Sequence, residues 1–179
     1  DVQGLCVNSQ DHVHIVKKVS FSIRSGEIFA IAGVSGNGQV EIADAIAGMR
    51  PIRKGSVLLD GKEIANFPVR EIVETGMTYI PEDRQGMGVF MDLTLRENLS
   101  IRRYYKEPFS HNGLLRYKQL GNYAEKLIDS YDIRCGQGRN TPLRSMSGGN
   151  QQKAIVGREI EEHAKLEIFV QPTRGLDIG

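Results

Sequence analysis

The chain has 179 residues, a net charge of +1, 40% apolar residues and 25% charged residues. That length suits one ordinary domain with a sizeable core, and the mix excludes a disordered or fibrous chain. Near-neutral charge argues against a global attraction to nucleic acid or anionic lipid, though a local anion site remains open.

Val2 to Val7 reads as a short strand, and the alternation of Val19, Phe21 and Ile23 marks a second over 15–23, closed by a turn at Gly26. Glu27 to Ala32 (EIFAIA) is an apolar run of the kind that forms buried strands in parallel sheets. Gly33-Val34-Ser35-Gly36-Asn37-Gly38 follows at once. Val40, Ala43, Ile46 and Ala47 then recur at helical spacing up to Gly48. Gly55 to Asp60 and Met77 to Ile80 read as further strands, the latter stopped by Pro81. Thr94-Leu95-Arg96-Glu97 has the capping-box pattern of a helix start. Tyr104 to Gly113 reads as a loop, and Tyr123, Ala124, Leu127, Ile128 and Tyr131 form a helical stripe beyond it. A third helix runs over 147–162 with Ser147 at its cap, and Leu166 to Val170 is a strand ended by Pro172. No run approaches the ~20 apolar residues of a membrane span, and the opening residues do not read as a signal peptide. Cys6 and Cys135 fit no zinc spacing and are expected to be free thiols, and His12, His14, His111 and His163 form no metal-ligand group, so no metal ligands are assigned.

A strand, a glycine loop and a helix in that order make an anion cradle, because glycine permits close backbone approach and the helix N-terminus presents N–H groups. Gly33 and Gly38 have the spacing of the G-x-x-x-x-G-K-[ST] loop. Gln39 and Val40 replace its lysine and hydroxyl residue, so triphosphate binding is expected to be weaker. The nucleotide-binding candidates are Gly33, Ser35, Gly36, Asn37, Gly38, Gln39 and Val40.

Met146-Ser147-Gly148-Gly149-Asn150-Gln151-Gln152-Lys153 resembles the signature motif of ABC transporter ATPases, usually LSGGQ. Ile168 to Asp177 resembles the Walker B strand and D-loop, with Pro172, Thr173, Leu176 and Asp177 matching. Val170 and Gln171 stand where that family has aspartate and glutamate. In Tyr79-Ile80-Pro81-Glu82-Asp83-Arg84, Glu82 stands where the family usually has its Q-loop glutamine.

The resemblance covers nearly the whole chain in family order. It implies an α/β fold: a P-loop NTPase-type, mostly parallel sheet with flanking helices, an N-terminal antiparallel β part and a helical subdomain at about 93–150, within one nucleotide-binding domain over 1–179. It further implies the second of two fused ATPase halves of a simple-sugar or nucleoside importer, with QPTRGLD leaning toward nucleosides.

ATP, with Mg²⁺ held weakly or indirectly, is then the expected cofactor. The implied partners are another ABC ATPase domain fused upstream, membrane-domain subunits and, indirectly, a solute-binding protein, at the cytoplasmic face of the membrane. No nucleic-acid partner is expected. Ser147, Gly148, Gly149, Asn150 and Gln151 would serve ATP on the partner domain, and Asp177 would help join the two. The switch histidine and its strand, which follow the D-loop in the family, are absent, so the domain is expected to be truncated at its C-terminus, with a gap in its sheet. His12 or His14 stands in for the stacking aromatic before the P-loop. Two rival readings are a module that no longer binds nucleotide, and a dinucleotide-binding oxidoreductase built on Gly33, Gly36, Gly38 and Asp60.

Overall fold

The computed structural model describes residues 1–8 and 14–173, which divide into two compact units. Residues 1–8, 14–79 and 163–170 form the first, and 80–162 with 171–173 the second.

The first unit is built on a four-stranded antiparallel sheet in the order β2-β1-β3-β4: β1 is Val2–Asn8, β2 His14–Phe21, β3 Ile52–Leu59 and β4 Lys62–Glu63. The register pairs Leu5 with Val19 and Val7 with Val16, so alternate apolar side chains share one face. Gly55 sits at φ +101 where a Cβ would strike the backbone of Gln3 and Gly4, which makes glycine obligatory at that close crossing of β1 and β3. The helix α1 (Gln39–Ile46) buries Ile42, Ala45 and Ile46, which join Leu5, Val7, Ile52, Ile72 and Met77 in one core. A short helix, α2 (Val69–Glu74), adds Ile72 to it. β5 (Met77–Ile80) pairs with β8 (Leu166–Phe169). The N–H groups of Lys165 and Leu166 donate to the Gly76 carbonyl at the start of both strands, so the two run parallel.

Two expectations change here. Glu27 to Ala32 forms no strand: Ile28 is fully exposed, Phe29 and Ile31 are exposed, and Phe29 stacks on Phe21 at 5.0 Å between ring centroids. An apolar run becomes a buried strand only when neighbours complete its hydrogen-bond ladder. Among the described residues, β5 and β8 pair with each other and no strand pairs with 27–32. The strand expected from Gly55 instead begins at Ile52, because its pairing with β1 extends to Val7 and Ile52.

The second unit is mostly helical. A π-turn at Arg84–Gly88 follows β5, capped by the Asp83 carboxylate, which accepts from Gln85 and Gly86 N–H. Helix α3 (Leu95–Ser100) starts at Thr94 with both halves of the capping box formed. The stretch 104–113 is not all loop: β6 (Ser110–His111) and β7 (Leu114–Leu115) close a small hairpin around Asn112 and Gly113, both at positive φ. Helix α4 (Tyr117–Ser130) carries the expected stripe, and α5 (Gly148–Ile160) starts at Ser147. Leu95, Leu99, Ala124, Leu127, Leu143 and Ile155 form the core of this unit. Burial and the cost of losing water push the Tyr123 hydroxyl up to about 12.

Candidate functional site

Gly33 to Val40 lies in the first unit. The turn is closed by the Asn37 N–H donating to the Val34 carbonyl at 3.2 Å. Gly36 and Gly38 take φ +86 and +101, left-handed conformations that favour glycine and turn the chain into α1. Gly38 caps α1 with no side-chain hydrogen bond, so no side chain caps the helix's first N–H groups. That is the geometry of an anion cradle. Two features oppose it. Glu41 puts a negative charge in the first turn of α1. Gln39 folds back over the loop, donating to the Val34 carbonyl at 3.2 Å and filling the space beside Gly33 that a Cβ would take. Ser35 and Asn37 are exposed, and Val40 brings no oxygen.

The remaining described candidates, Val170 apart, lie in the second unit. Ser147 caps α5, its Oγ accepting from the N–H (3.4 Å) and the side-chain amide (2.9 Å) of Asn150. The Asn150 Oδ1 in turn accepts from the Arg134 N–H at 2.8 Å. Ser147 is exposed, and the Arg84 guanidinium lies against Gly148 so closely that a Cβ there would collide with it. A side chain at position 148 would have to displace the Arg84 guanidinium. Gln151 turns inward: it is 2% exposed and donates to the carbonyls of Leu143 (3.1 Å) and Met146 (3.2 Å), bracing the turn before the helix.

At the far end of α5 sits a buried charged group that sequence reasoning passed over. Arg158, 6% exposed, donates to Glu159 at 2.8 Å, to the Asn98 carbonyl at 3.3 Å and to the Gly88 carbonyl at 3.0 Å. Arg102 approaches the other Glu159 oxygen at 3.6 Å. The signal available in the sequence was an Arg-Glu pair on the apolar side of a helix, where ionised groups must be paired.

The Q-loop and Walker B positions meet. Gln171 donates from its amide to the Glu82 carboxylate at 3.0 Å. Gln171 is at φ +50, an uncommon conformation for a residue other than glycine. Its successor Pro172 is held through its carbonyl by the Gln152 amide at 2.9 Å. Val170 is buried at 9% exposure, so an apolar side chain fills the aspartate position. Asp177, His12 and the side chain of His14 lie outside the described residues.

For a phosphate the loop offers backbone donors, but the Asn37 N–H is already bound to Val34 and the Gln39 side chain fills the space beside Gly33. Of the positions that the resemblance sets near Mg²⁺ and its water, Val40, Val170 and Gln171 carry no carboxylate and Glu82 does, so the described residues do not hold a divalent cation unaided.

A glycine loop before a helix and a serine-capped helix N-terminus are in keeping with an ATP-binding cassette. The family model for ABC transporters matches residues 16–174, and the chain belongs to that family. It is 43% identical over 178 residues to the guanosine import ATP-binding protein NupO of Bacillus subtilis, covering 99% of this chain and 35% of that protein. It is 43% identical over 164 residues to the nucleoside import ATP-binding protein NupA of Lactococcus lactis, covering 92% of the chain and 32% of NupA. The chain thus spans about a third of the length of these curated relatives. Among solved structures, the dimeric ATP-binding cassette MJ0796 in a post-hydrolysis state with ADP and Pi superposes with a TM-score of 0.82 at 18% identity. The match covers 99% of this chain and 75% of that one, and shows the shared fold.

Proposed function

We propose that this chain is the degenerate ATP-binding half of a nucleoside importer, contributing its signature helix to ATP held by a partner ATPase domain. The observation that carries this reading is the contrast at the two helix starts: Ser147, Gly148 and Gly149 keep the family's residues, while Gln39 and Val40 replace the lysine and hydroxyl of the P-loop. At α5 the Ser147 hydroxyl and the glycine N–H groups supply preorganised donors for developing phosphate charge. At α1 the backbone donors hold a nucleotide weakly, because a neutral amide replaces the charged donor. ATP supplies the phosphoanhydride whose cleavage drives transport.

The names of NupO and NupA support the nucleoside class within the broader sugar and nucleoside group. Among the described residues no helix is long and apolar enough to cross a membrane, in keeping with attachment to the cytoplasmic face through membrane-domain subunits. The two compact units then serve as parts of one nucleotide-binding domain, the helical part carrying the signature helix. The second ATPase domain lies upstream in the same polypeptide, and a solute-binding protein acts indirectly. A second reading, a module that no longer binds nucleotide, is favoured by the Gln39 side chain filling the loop.

The test is ATP turnover by the purified chain, alone and mixed with a lysine-bearing partner domain. Alone, it should fall well below the ~1 to 10³ per second of ordinary enzymes. With the partner, turnover should rise, and Ser147→Ala should remove about tenfold or more of that gain. Ordinary turnover by the chain alone overturns the proposal. ATP titration with and without Mg²⁺ separates the second reading, which expects no binding.

A further inference from the structure

Charge is unevenly spread along the chain. Residues 96–118 hold six lysines and arginines against two glutamates, a net charge of +4, whereas the whole chain carries +1. Apolar surface gathers in the same stretch. Among the described residues of the second unit seven large apolar or aromatic side chains are exposed, and five of them are Tyr104, Tyr105, Leu114, Leu115 and Tyr117. We propose that this stretch, the β6–β7 hairpin with its flanking tyrosines and cations, is a docking surface for an anionic phospholipid bilayer. The contact is additional to attachment through membrane-domain subunits.

The side chains form one connected surface. Arg96, Tyr104, Leu115 and Tyr117 line an open cavity of about 150 Å³. The Arg96 guanidinium lies over the Tyr117 ring at 5.3 Å from its centroid, and its Nε has no hydrogen-bond partner in the protein. Tyr104 meets Tyr105 edge-on at 5.5 Å, and the Lys106 ammonium lies 5.4 Å from the Tyr105 centroid. Lys118 is exposed beside Tyr117, and Leu114, 76% exposed, follows the hairpin turn at Gly113. Three cations of the stretch are engaged: Arg103 with Glu162, Arg102 with Glu159, and Arg116 with Glu107, which also meets His111. Arg96, Lys106 and Lys118 remain for lipid phosphates. A tyrosine keeps its ring in the apolar boundary and its hydroxyl in water, and a leucine beside it enters the acyl region. Basic and aromatic side chains together also suit single-stranded nucleic acid, but the exposed leucines add nothing there and favour lipid.

Co-sedimentation of the purified chain with vesicles tests it. Phosphatidylcholine vesicles with about one-third phosphatidylserine should carry the protein down, phosphatidylcholine alone should not, and added salt should release it. Each surface cation lost should weaken binding about fivefold, so Lys106→Gln with Lys118→Gln should weaken it about 25-fold. Leu114→Ser should weaken it about tenfold. Lys126→Gln removes a charge bound to Glu161 outside the stretch and should leave binding within about twofold. All these positions are exposed, so urea midpoints should stay in place and folding is checked separately. Failure to bind either vesicle overturns the proposal and leaves the surface to a protein partner. A loss at Lys126→Gln equal to that of the double variant overturns it in favour of general charge. Indifference to Leu114→Ser, with equal binding to a single-stranded oligonucleotide, overturns it in favour of nucleic acid. ATP titration is a separate readout, so none of these outcomes bears on the nucleotide reading.

Discussion

The loop at Gly33 to Val40 and the turn at Ser147 to Gln152 are made of similar material: glycines and short polar side chains leading into a helix. They are supported very differently. Behind Ser147 stand two buried amides, Gln151 on two carbonyls and Gln152 on Pro172, and at the far end of α5 Arg158 ties the helix to Asn98 and Gly88. Behind Gly36 there is solvent, and the hydrogen bonds are those the loop makes to itself through Asn37 and Gln39. Donors meant for a distant ligand need a rigid mount, because their placement must survive without that ligand present. A loop that binds through its own backbone can be ordered by what it binds.

The sharpest way to break this comparison is to remove the mount. Arg158→Leu strips Glu159, 2% exposed, of its closest cation and frees two buried carbonyls. It should cost about 3–5 kcal/mol in urea unfolding. A loss below about 1 kcal/mol would mean that Arg102 alone satisfies Glu159. A smaller effect is expected at the loop. Gln39→Lys restores the ammonium and should tighten ATP binding by about tenfold, read by calorimetry. It should leave unfolding within about 0.5 kcal/mol, since position 39 holds no core. Unchanged affinity would show that the backbone, not residue 39, limits binding.

The smallest effect belongs to the α3 cap. The hydrogen bond from the Thr94 hydroxyl holds the Glu97 carboxyl below the usual range, followed by that from the Thr94 N–H. A carboxyl lowered by folding adds stability above its unfolded value near ~4.3, and that stability is lost as pH falls through the folded value. Thr94→Ala should therefore cost about 1 kcal/mol at neutral pH and less in acid, measured as the gap between the two urea midpoints. A gap that is constant with pH would detach Glu97 from the cap.

What the sequence made legible follows the range of the contacts involved. The caps at Thr94 and Ser147 are i to i+3 motifs, complete within four residues, and both formed where expected. The antiparallel pairing of β1 and β2 joins neighbouring runs. Glu27 to Ala32 was misleading because strand formation depends on partners that its own composition cannot report. The short elements α2 and β6–β7 gave too few residues for a period to show. In the candidate site, the motif residues could be named one by one. The bond between Glu82 and Gln171, and the burial of Gln151, arise only when the chain closes on itself.

Arg158 has a temporal consequence too. Its two carbonyl partners lie 60 and 70 positions earlier in the chain. Contacts of such separation form only after a long loop has been closed, against its entropy. The cap at Ser147 is local and can form as soon as α5 winds, whereas the far end of the helix is tied only once Arg158 meets Asn98 and Gly88. The two ends of α5 are thus fixed by contacts of very different range, and the distant one depends on a guanidinium that lysine, with its one compact charge, could not replace.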